Sequence, residues 1–150
     1  AMGGPYCREA GIAMPRATVI RRAHFNAAHR LHNPARSEEW NRATFGPCNN
    51  PHYHVHNYEV ELVVEGEIDP DTGYVVDVGM LGQLFEDHVH AHLDHRNLNL
   101  EVALFATRLP SAENIAVYIW EQLVDRIPAG RLELVRLWET PRNGVEYRGE

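Results

Sequence analysis

The segment from Tyr53 to Glu65 alternates between two classes of side chain, and this pattern constrains the fold most strongly. One parity begins with His54 and His56 and continues with apolar residues, whereas the other includes the acids Glu59, Glu61 and Glu65. Successive side chains of a β-strand point to opposite faces, so both imidazoles continue the face that is directed towards the core. Inward imidazoles on a strand are typical of a zinc site, which in enzymes usually has three protein ligands and one open position.

The third ligand of such a site has to come from another segment. Residues 18–29 are predicted to form a first strand, and its last residue, His29, would lie beside His54 and His56 if the two strands pair. His24 and His32 are the competing candidates. His24 has the parity opposite to the apolar face of the first strand, and His32 falls in a turn.

Cys48 lies just upstream of the two histidines, and its spacing leaves three interpretations open. It is a small buried side chain, a fourth zinc ligand that closes a structural site, or a thiolate that acts as a base. A nearby positive charge would lower the pKa of the thiol and favour the third interpretation.

Composition excludes several classes of function. The chain has 150 residues, a net charge of −7, two cysteines and ten histidines. One domain is expected at this length, and the negative charge argues against nucleic acid as the main partner. Long apolar runs and a secretory signal are absent, and two cysteines do not make a disulfide framework, so we expect a cytoplasmic protein without a membrane span.

The order of predicted elements indicates an α+β domain over residues 17–150, preceded by a disordered tail, residues 1–16, whose first residues are typical of a frayed or artificial start. An antiparallel sheet of four strands with two helices on one face is expected. Its exposed edges favour an oligomer. The elements are strand 18–29, a long polar insertion 30–52, strand 53–68, a turn at 69–73, extended residues 74–76, a helix capped by Asp77 and running to His92, a loop 93–110, a helix capped by Ser111 and stopped near Gly130, strand 132–140, a hairpin turn within Pro141-Arg-Asn-Gly144 that is favoured by its Asn-Gly pair, and strand 145–148.

Three further groups of residues are candidates for chemistry. Asp94 and His95 are a carboxylate and an imidazole suited to proton transfer, although loop neighbours of this kind are often only solvated. Glu139 shares its predicted parity with Glu133, Val135 and Leu137, and an acid on a largely apolar face suits a cationic or amidine-like ligand. The histidines at 88, 90 and 92 are interpreted as a solvated or partly packed helix face, although His88 and His92 have metal-ligand spacing.

Together these residues resemble the 6-pyruvoyl-tetrahydropterin synthase family over nearly the whole chain after the tail. The similarity implies the tunnelling fold (T-fold), with trimers or hexamers whose active sites lie between subunits. The motifs that carry it are Phe25-Asn-Ala-Ala-His29, Phe45-Gly-Pro-Cys48-Asn-Asn-Pro, His54-Val-His56-Asn-Tyr, Gly66-Glu-Ile-Asp-Pro, Leu93-Asp-His-Arg-Asn-Leu98, Glu113-Asn-Ile-Ala-Val-Tyr-Ile-Trp120 and Tyr147-Arg-Gly-Glu150.

The resemblance also implies roles for individual residues. His29, His54 and His56 match the zinc ligands, and Cys48 matches the thiol that abstracts a proton. The substrate implied is 7,8-dihydroneopterin triphosphate, and the product is 6-pyruvoyl-tetrahydropterin with release of triphosphate. No nicotinamide or flavin is implied.

Other matched positions lie further along the chain. Asp94 and His95 match the relay partners of the thiol, contributed by another subunit. Glu139 matches the acid that anchors the guanidine-like edge of the pterin, and Ser111 and Glu113 match the segment that lines its pocket.

The sequence departs from the family pattern at Tyr53 and Val55, where glycines are frequent beside the ligands, and at Ala112, where a threonine is common. Two related branches are alternatives. One is the 6-carboxy-tetrahydropterin synthase of queuosine biosynthesis; the other is an aldolase-like branch that carries glutamate in place of Cys48. A non-catalytic zinc-stabilised binding domain is the alternative from another class.

Overall fold

The computed structural model describes residue 11 and residues 13–150, so most of the predicted tail lies outside the described residues. The first strand begins at Arg16, two residues earlier than predicted. The strands are β1 (Arg16–His29), β2 (His54–Glu67), β3 (Arg96–Asn97), β4 (Arg131–Thr140) and β5 (Asn143–Tyr147). The helices are α1 (Glu38–Phe45), α2 (Val78–Phe85), α3 (Ala91–Leu93), α4 (Leu98–Glu101) and α5 (Ala112–Leu123), with a π-helical turn (Glu86–His90) between α2 and α3 and 3₁₀ turns at Gly46–Asn49, Ala103–Ala106 and Val124–Arg126.

The strands form one sheet in the order β3-β1-β2-β4-β5. The four long strands pair antiparallel, which confirms the predicted α+β class. A fifth strand was not predicted: β3 pairs parallel with β1 through Ala27–Arg96 and Ala28–Asn97. Two residues are too short to carry a hydrophobic period, so this strand depends on tertiary contact alone.

The predicted alternation of β2 is confirmed. Tyr58, Val60, Leu62 and Val64 are fully buried in the core beneath α2 and α5. The acidic parity has one exception, because Glu61 is only 7% exposed. Its carboxylate is paired with Arg136 and Arg22 on the face of the sheet opposite the core.

The long insertion between β1 and β2 is more ordered than predicted, since it contains α1. The Ser37 hydroxyl caps this helix by accepting a hydrogen bond from the backbone N–H of Trp40 at 3.1 Å. Asn41 is fully buried, and its side-chain amide bonds the backbone of Asn33 in both directions. These contacts fix the path of the chain towards Cys48, whose carbonyl accepts a hydrogen bond from Leu31 at 2.8 Å.

The predicted helix from Asp77 to His92 is confirmed in outline. The Asp77 carboxylate accepts a hydrogen bond from Gly79, and helical turns continue through α2, the π-helical turn and α3. Two predictions nearby were wrong. Residues 74–76 form bends and not a strand, and the predicted loop 93–110 contains β3 and α4.

Strand β4 contains a β-bulge that overturns the predicted parity of Glu133. Val63 pairs with Leu134 and Val64 with Leu132, so Glu133 has no opposite residue on β2. A bulge inserts one residue and shifts the parity that precedes it. Leu132 therefore joins the core with Val135, while Glu133 pairs with arginines at the surface.

The hairpin between β4 and β5 was predicted correctly, but its turn was misplaced. Thr140 pairs with Asn143, so the two-residue loop is Pro141–Arg142, and Asn143–Gly144 already belongs to β5. The Thr140 hydroxyl accepts hydrogen bonds from the backbone of both Arg142 and Asn143. A side chain capable of bonding the turn backbone thus outweighs the local Asn-Gly preference. Within the described part of the chain, no helix has the length and apolar character that crossing a membrane requires.

Candidate functional site

Three histidines meet at the end of the β1–β2 pair, as the alternation predicted. His29 lies directly opposite His54 in the register, and His56 lies opposite Ala27, so all three rings share the core side of the sheet. The ring centroids are 4.4 to 5.1 Å apart. One ligand atom from each ring lies within 4.8 Å of the others, and this is the only group of its kind among the described residues.

The hydrogen bonds of His29 leave one ring nitrogen free to act as a ligand. Its Nδ1 lies 2.7 Å from the carbonyl oxygen of Pro110, and a carbonyl can only accept, so Nδ1 carries the proton. Nε2 then has a lone pair. It is buried without a hydrogen-bond partner among the described residues, as are Nε2 of His56 and both ring nitrogens of His54. Orphaned buried nitrogens are costly unless they bind something, so this donor set fits a metal ion.

The electrostatics of the cluster favour neutral imidazoles, which is the form that binds metal. Burial lowers the pKa of His29 from 6.5 to about 4, against the raising effect of its bond to Pro110, and His54 and His56 lower the pKa further. Burial and the neighbouring His56 also lower the pKa of His54. His29 and His54 are therefore held in the neutral form that coordinates a cation.

The lowered pKa of His29 makes the metal-free protein sensitive to acid. The unfolded chain takes up a proton near pH 6.5, whereas the folded chain resists it until about pH 4, so the stability present above pH 6.5 falls as the pH drops through this window. The full effect is about 3 kcal/mol. Urea unfolding of metal-free protein between pH 7 and pH 4 should show it, and His29→Gln should flatten the slope. Equal slopes in His29→Gln and the exposed-site control His24→Gln would contradict this assignment.

Glu139 lies beside the histidines, as its predicted face required. Its carboxylate oxygens are 3.7 Å from Nε2 of His56 and 4.0 Å from Nε2 of His29. Glu139 and His56 both line a cavity of about 600 Å³, which is bordered mainly by residues of β2 and of the end of β4. A cavity of this size accommodates a small organic ligand. The carboxylate of Glu139 and one histidine of the cluster, His56, therefore border the same space.

Cys48 is a partly buried free thiol in the 3₁₀ turn that precedes β2. Burial and the negative charge of Glu139 raise its pKa, which is opposite to the lowering expected beside a cation. Burial also raises the pKa of Tyr58, and the charges of Glu139 and Cys48 add smaller raising effects. Cys48 does not belong to the ligand group formed by the histidines among the described residues. The geometry thus disfavours Cys48 as a closing ligand and is compatible with a nearby acid–base group.

Asp94 and His95 form the predicted pair, with 2.6 Å between Asp94 Oδ2 and His95 Nδ1. The other oxygen of Asp94 accepts a hydrogen bond from the backbone of Asn26. His95 adopts φ +56°, a left-handed conformation that is rare for a residue with a side chain. The side chain of His95 is 81% exposed, and no hydrogen bond joins it to Cys48 within the described chain. The His95 ring therefore projects outwards at the β3 edge of the sheet, while the Asp94 side chain is held against β1.

The contacts of His90 were not predicted, because the sequence assigned it only to a solvated or partly packed helix face. Its Nε2 lies 3.5 Å from the Asp94 oxygen that also contacts His95, and its Nδ1 lies 3.1 Å from Glu86. Both carboxylates are four residues from His90 along a helical segment, and this i,i+4 spacing was the available signal. Burial opposes the lowered pKa of Asp94, which results from the backbone bond from Asn26, the bond with His95 and the smaller effects of the charges of His90 and His95.

Ser111 and Glu113 are not brought to the histidine cluster by their side chains. The Ser111 hydroxyl is engaged as the predicted N-cap of α5, accepting from Asn114 at 3.3 Å. Glu113 is exposed in the first turn of the helix. The backbone just before them is nevertheless adjacent to the cluster, because the carbonyl of Pro110 accepts the hydrogen bond from His29. The competing histidines lie elsewhere: His24 is exposed, His32 contacts Asn49, and His88 and His92 join no metal-binding group of described residues.

The residues that depart from the family pattern occupy two different environments. Val55 is 60% exposed on the face opposite the histidines. Tyr53 has φ +64°, a conformation that glycine adopts without strain. This left-handed backbone accounts for glycine being the frequent residue at position 53.

Comparison with known proteins gives a consistent result over almost the whole chain. The model of the family described as 6-pyruvoyl tetrahydropterin synthase matches residues 18–150. Human 6-pyruvoyl tetrahydrobiopterin synthase is 44% identical over 142 residues, which cover 95% of this chain and 98% of the human protein. The solved structure of Caenorhabditis elegans 6-pyruvoyl tetrahydropterin synthase has a TM-score of 0.88 and 38% identity, covering 93% of this chain and 99% of that chain. A dihydroneopterin monophosphate aldolase of Pyrococcus furiosus is 37% identical over 132 residues, covering 87% of this chain and 96% of the relative.

Proposed function

The chain belongs to the 6-pyruvoyl tetrahydropterin synthase family, and from this membership we propose that it is a carbon–oxygen lyase acting on 7,8-dihydroneopterin triphosphate. The product is 6-pyruvoyl-tetrahydropterin, and triphosphate leaves. The observation that carries the proposal is the cluster of His29, His54 and His56 beside Glu139, whose ring nitrogens include four that are buried without a partner in the described part of the chain. We expect the protein to work in the cytoplasm, since the free thiol of Cys48 suits a reducing compartment.

Zinc is the metal that the donor set favours. Three imidazoles with one open position are the ligand arrangement of catalytic zinc. His29, His54 and His56 would hold the ion, and the bond from His29 to Pro110 fixes the orientation of that ring. When bound, zinc supplies Lewis-acid polarisation of the substrate's side-chain hydroxyl oxygens, which acidifies the neighbouring C–H bonds.

Cys48 is proposed as the base that takes a proton from the substrate side chain. Because burial and Glu139 raise its pKa, the thiol needs positive charge nearby to be deprotonated at neutral pH. Asp94 is proposed to hold the His95 ring through Nδ1, which leaves Nε2 for proton exchange with the thiol. His95 is exposed and makes no hydrogen bond to Cys48 among the described residues. We therefore propose that it completes the site of a neighbouring subunit in a trimer or hexamer.

Glu139 is proposed to anchor the guanidine-like edge of the pterin, and Ser111 and Glu113 to border the pterin pocket. A carboxylate accepts two parallel N–H bonds from such an edge, whereas an amide offers one acceptor and one donor. Charge-assisted bonds are worth about 1.5–3 kcal/mol, so Glu139→Gln should lower kcat/KM by about 10- to 100-fold.

Steady-state kinetics with dihydroneopterin triphosphate measures the effect of Glu139→Gln. Glu133→Gln is the matched control, because it changes an acid of the same strand outside the cavity. Because Glu139 is close to two histidines, the metal content of both variants is measured as well. We expect it to be equal. A loss of the same size in both variants would contradict the anchoring role.

The product identifies the branch of the family. Zinc-loaded protein is incubated with 7,8-dihydroneopterin triphosphate, and the products are identified by mass spectrometry. A pyruvoyl-tetrahydropterin product supports the proposal. A carboxy-tetrahydropterin with acetaldehyde would move the chain to the queuosine branch, which the human relative's name does not favour.

An aldolase is the second candidate, because the relative from Pyrococcus furiosus carries that name. Cys48 argues against it, since the aldolase-like branch has glutamate at this position. Cleavage of the pterin side chain with the phosphate retained on the released fragment would support the aldolase.

A further inference from the structure

A second cavity, of about 740 Å³, adjoins the histidine cluster and is separate from the cavity that Glu139 lines. Three of its lining residues are direct neighbours of the cluster. Arg30 follows His29, Tyr53 precedes His54, and the carbonyl of Pro110 accepts the hydrogen bond from His29. Consecutive Cα atoms are about 3.8 Å apart, so the cavity begins within one residue of two proposed metal ligands.

The lining of this cavity is basic in an acidic protein. The chain has a net charge of −7, yet the lining includes Arg30, Arg108 and His32 and contains no aspartate or glutamate. The remaining residues are neutral. Positive groups around a concave space of low dielectric concentrate their field there and attract anions.

The two guanidinium groups have donors to spare. Nη1 of Arg108 is buried without a hydrogen-bond partner among the described residues, and the nearest carboxylate, that of Glu121, is 3.8 Å away. Arg30 donates from Nε to the carbonyl of Asn49 at 2.9 Å. Each guanidinium has five N–H groups in a fork that matches phosphate oxygens, so most of this capacity remains unused.

The neutral amides of the lining are already committed to the backbone. Asn99 bonds the backbone N–H and carbonyl of Arg30, and Asn114 donates to the carbonyl of Leu109. These bonds hold the walls in place before any ligand arrives. They also leave the arginines as the principal donors, which favours a highly charged anion over a neutral ligand.

We propose that this cavity is a polyphosphate-binding site whose principal donor is Arg108, assisted by Arg30. Resting on the proposed function, its ligand is the triphosphate group of the substrate. The metal histidines would hold the substrate's side-chain hydroxyls, and the triphosphate is attached to the end of that same side chain. A cavity that begins one residue from the histidines is close enough for this group to reach. The site would hold the triphosphate of the bound substrate.

Inorganic tripolyphosphate is the probe, and isothermal titration calorimetry of the purified zinc-loaded protein is the measurement. Arg108→Gln should weaken binding by at least tenfold, and Arg108→Lys should recover part of the loss because it keeps the charge without the fork. Arg126→Gln is the matched control, since Arg126 is an exposed arginine after α5 that bonds Gln122 outside the cavity. Removal of zinc by the probe would affect all variants alike. The difference in tripolyphosphate affinity between variants therefore measures binding in the cavity.

Kinetics with dihydroneopterin triphosphate provide the second readout. Arg108→Gln should raise KM by at least tenfold with kcat and zinc content retained, because the lost contact is made equally in the ground state and the transition state. Tripolyphosphate binding that depends on Arg108 in a protein without turnover would keep the anion site and overturn the proposed function. Equal tripolyphosphate affinity in wild type, Arg108→Gln and Arg126→Gln would overturn the anion site while leaving the proposed function intact.

Discussion

Replacing His56 by alanine is expected to lower zinc affinity by more than 100-fold and turnover by about 10³-fold or more. Changes to groups that only orient ligands cost 10- to 100-fold, so the loss of a ligand should cost more. Lewis-acid stabilisation is worth several kcal/mol, and about 4 kcal/mol corresponds to a factor of 10³ in rate. His56 is preferred over His29 for this test, because the fully buried His29 also supports the fold through Pro110.

Zinc content by mass spectrometry and activity on dihydroneopterin triphosphate are measured together for the His56 variant. His24→Ala is the matched control, because His24 occupies the exposed face of β1 and lies outside the metal-binding group. We expect the control to retain both zinc and turnover. A His56→Ala protein with full zinc content and unchanged activity would exclude the histidine cluster as the metal centre.

Replacing Cys48 by alanine is expected to abolish most turnover while zinc stays bound. General bases contribute about 10²- to 10⁴-fold, and the loss in kcat should fall in this range. The fold should be maintained, since Cys48 is only partly buried and its backbone bond to Leu31 does not depend on the side chain. The measurements are kcat, zinc stoichiometry and the thermal midpoint.

The same variant separates the enzyme from a zinc-stabilised binding domain. If Cys48 closed a structural site, its removal would release zinc and lower stability strongly, because structural zinc contributes folding free energy directly. Asn50→Ala, two residues away at the end of the 3₁₀ turn, is the control for local disturbance of the backbone. Loss of zinc in Cys48→Ala but not in Asn50→Ala would favour the structural reading over catalysis.

Local patterns in the sequence predicted the elements that carry the site. The period-2 alternation of β2 placed His54 and His56 on the core face, and the caps Asp77 and Ser111 marked two helix starts correctly. These predictions succeed because strand alternation and N-capping depend on the backbone within a few residues. Similarity to the family then assigned roles that spacing alone left open, such as those of Cys48 and Glu139.

Features that depend on contacts between distant segments were missed or misplaced. The two-residue strand β3 exists because it packs against β1, and the bulge at Glu133 is set by the register with β2. The turn at Pro141–Arg142 replaced the expected Asn-Gly turn, since Thr140 bonds its backbone. Each of these outcomes requires knowledge of a partner strand or side chain that no local window contains.

The sequence by itself determined which side chains point inwards along β1 and β2, because steric alternation of a strand is a local property. The tertiary structure decided which histidine joins His54 and His56, since the strand register places His29 opposite His54. It also decided that His90 meets Asp94 and that Arg30 and Arg108 share a cavity without acids. Residues far apart in the chain come together only when burial of the core fixes the strands and loops in one arrangement.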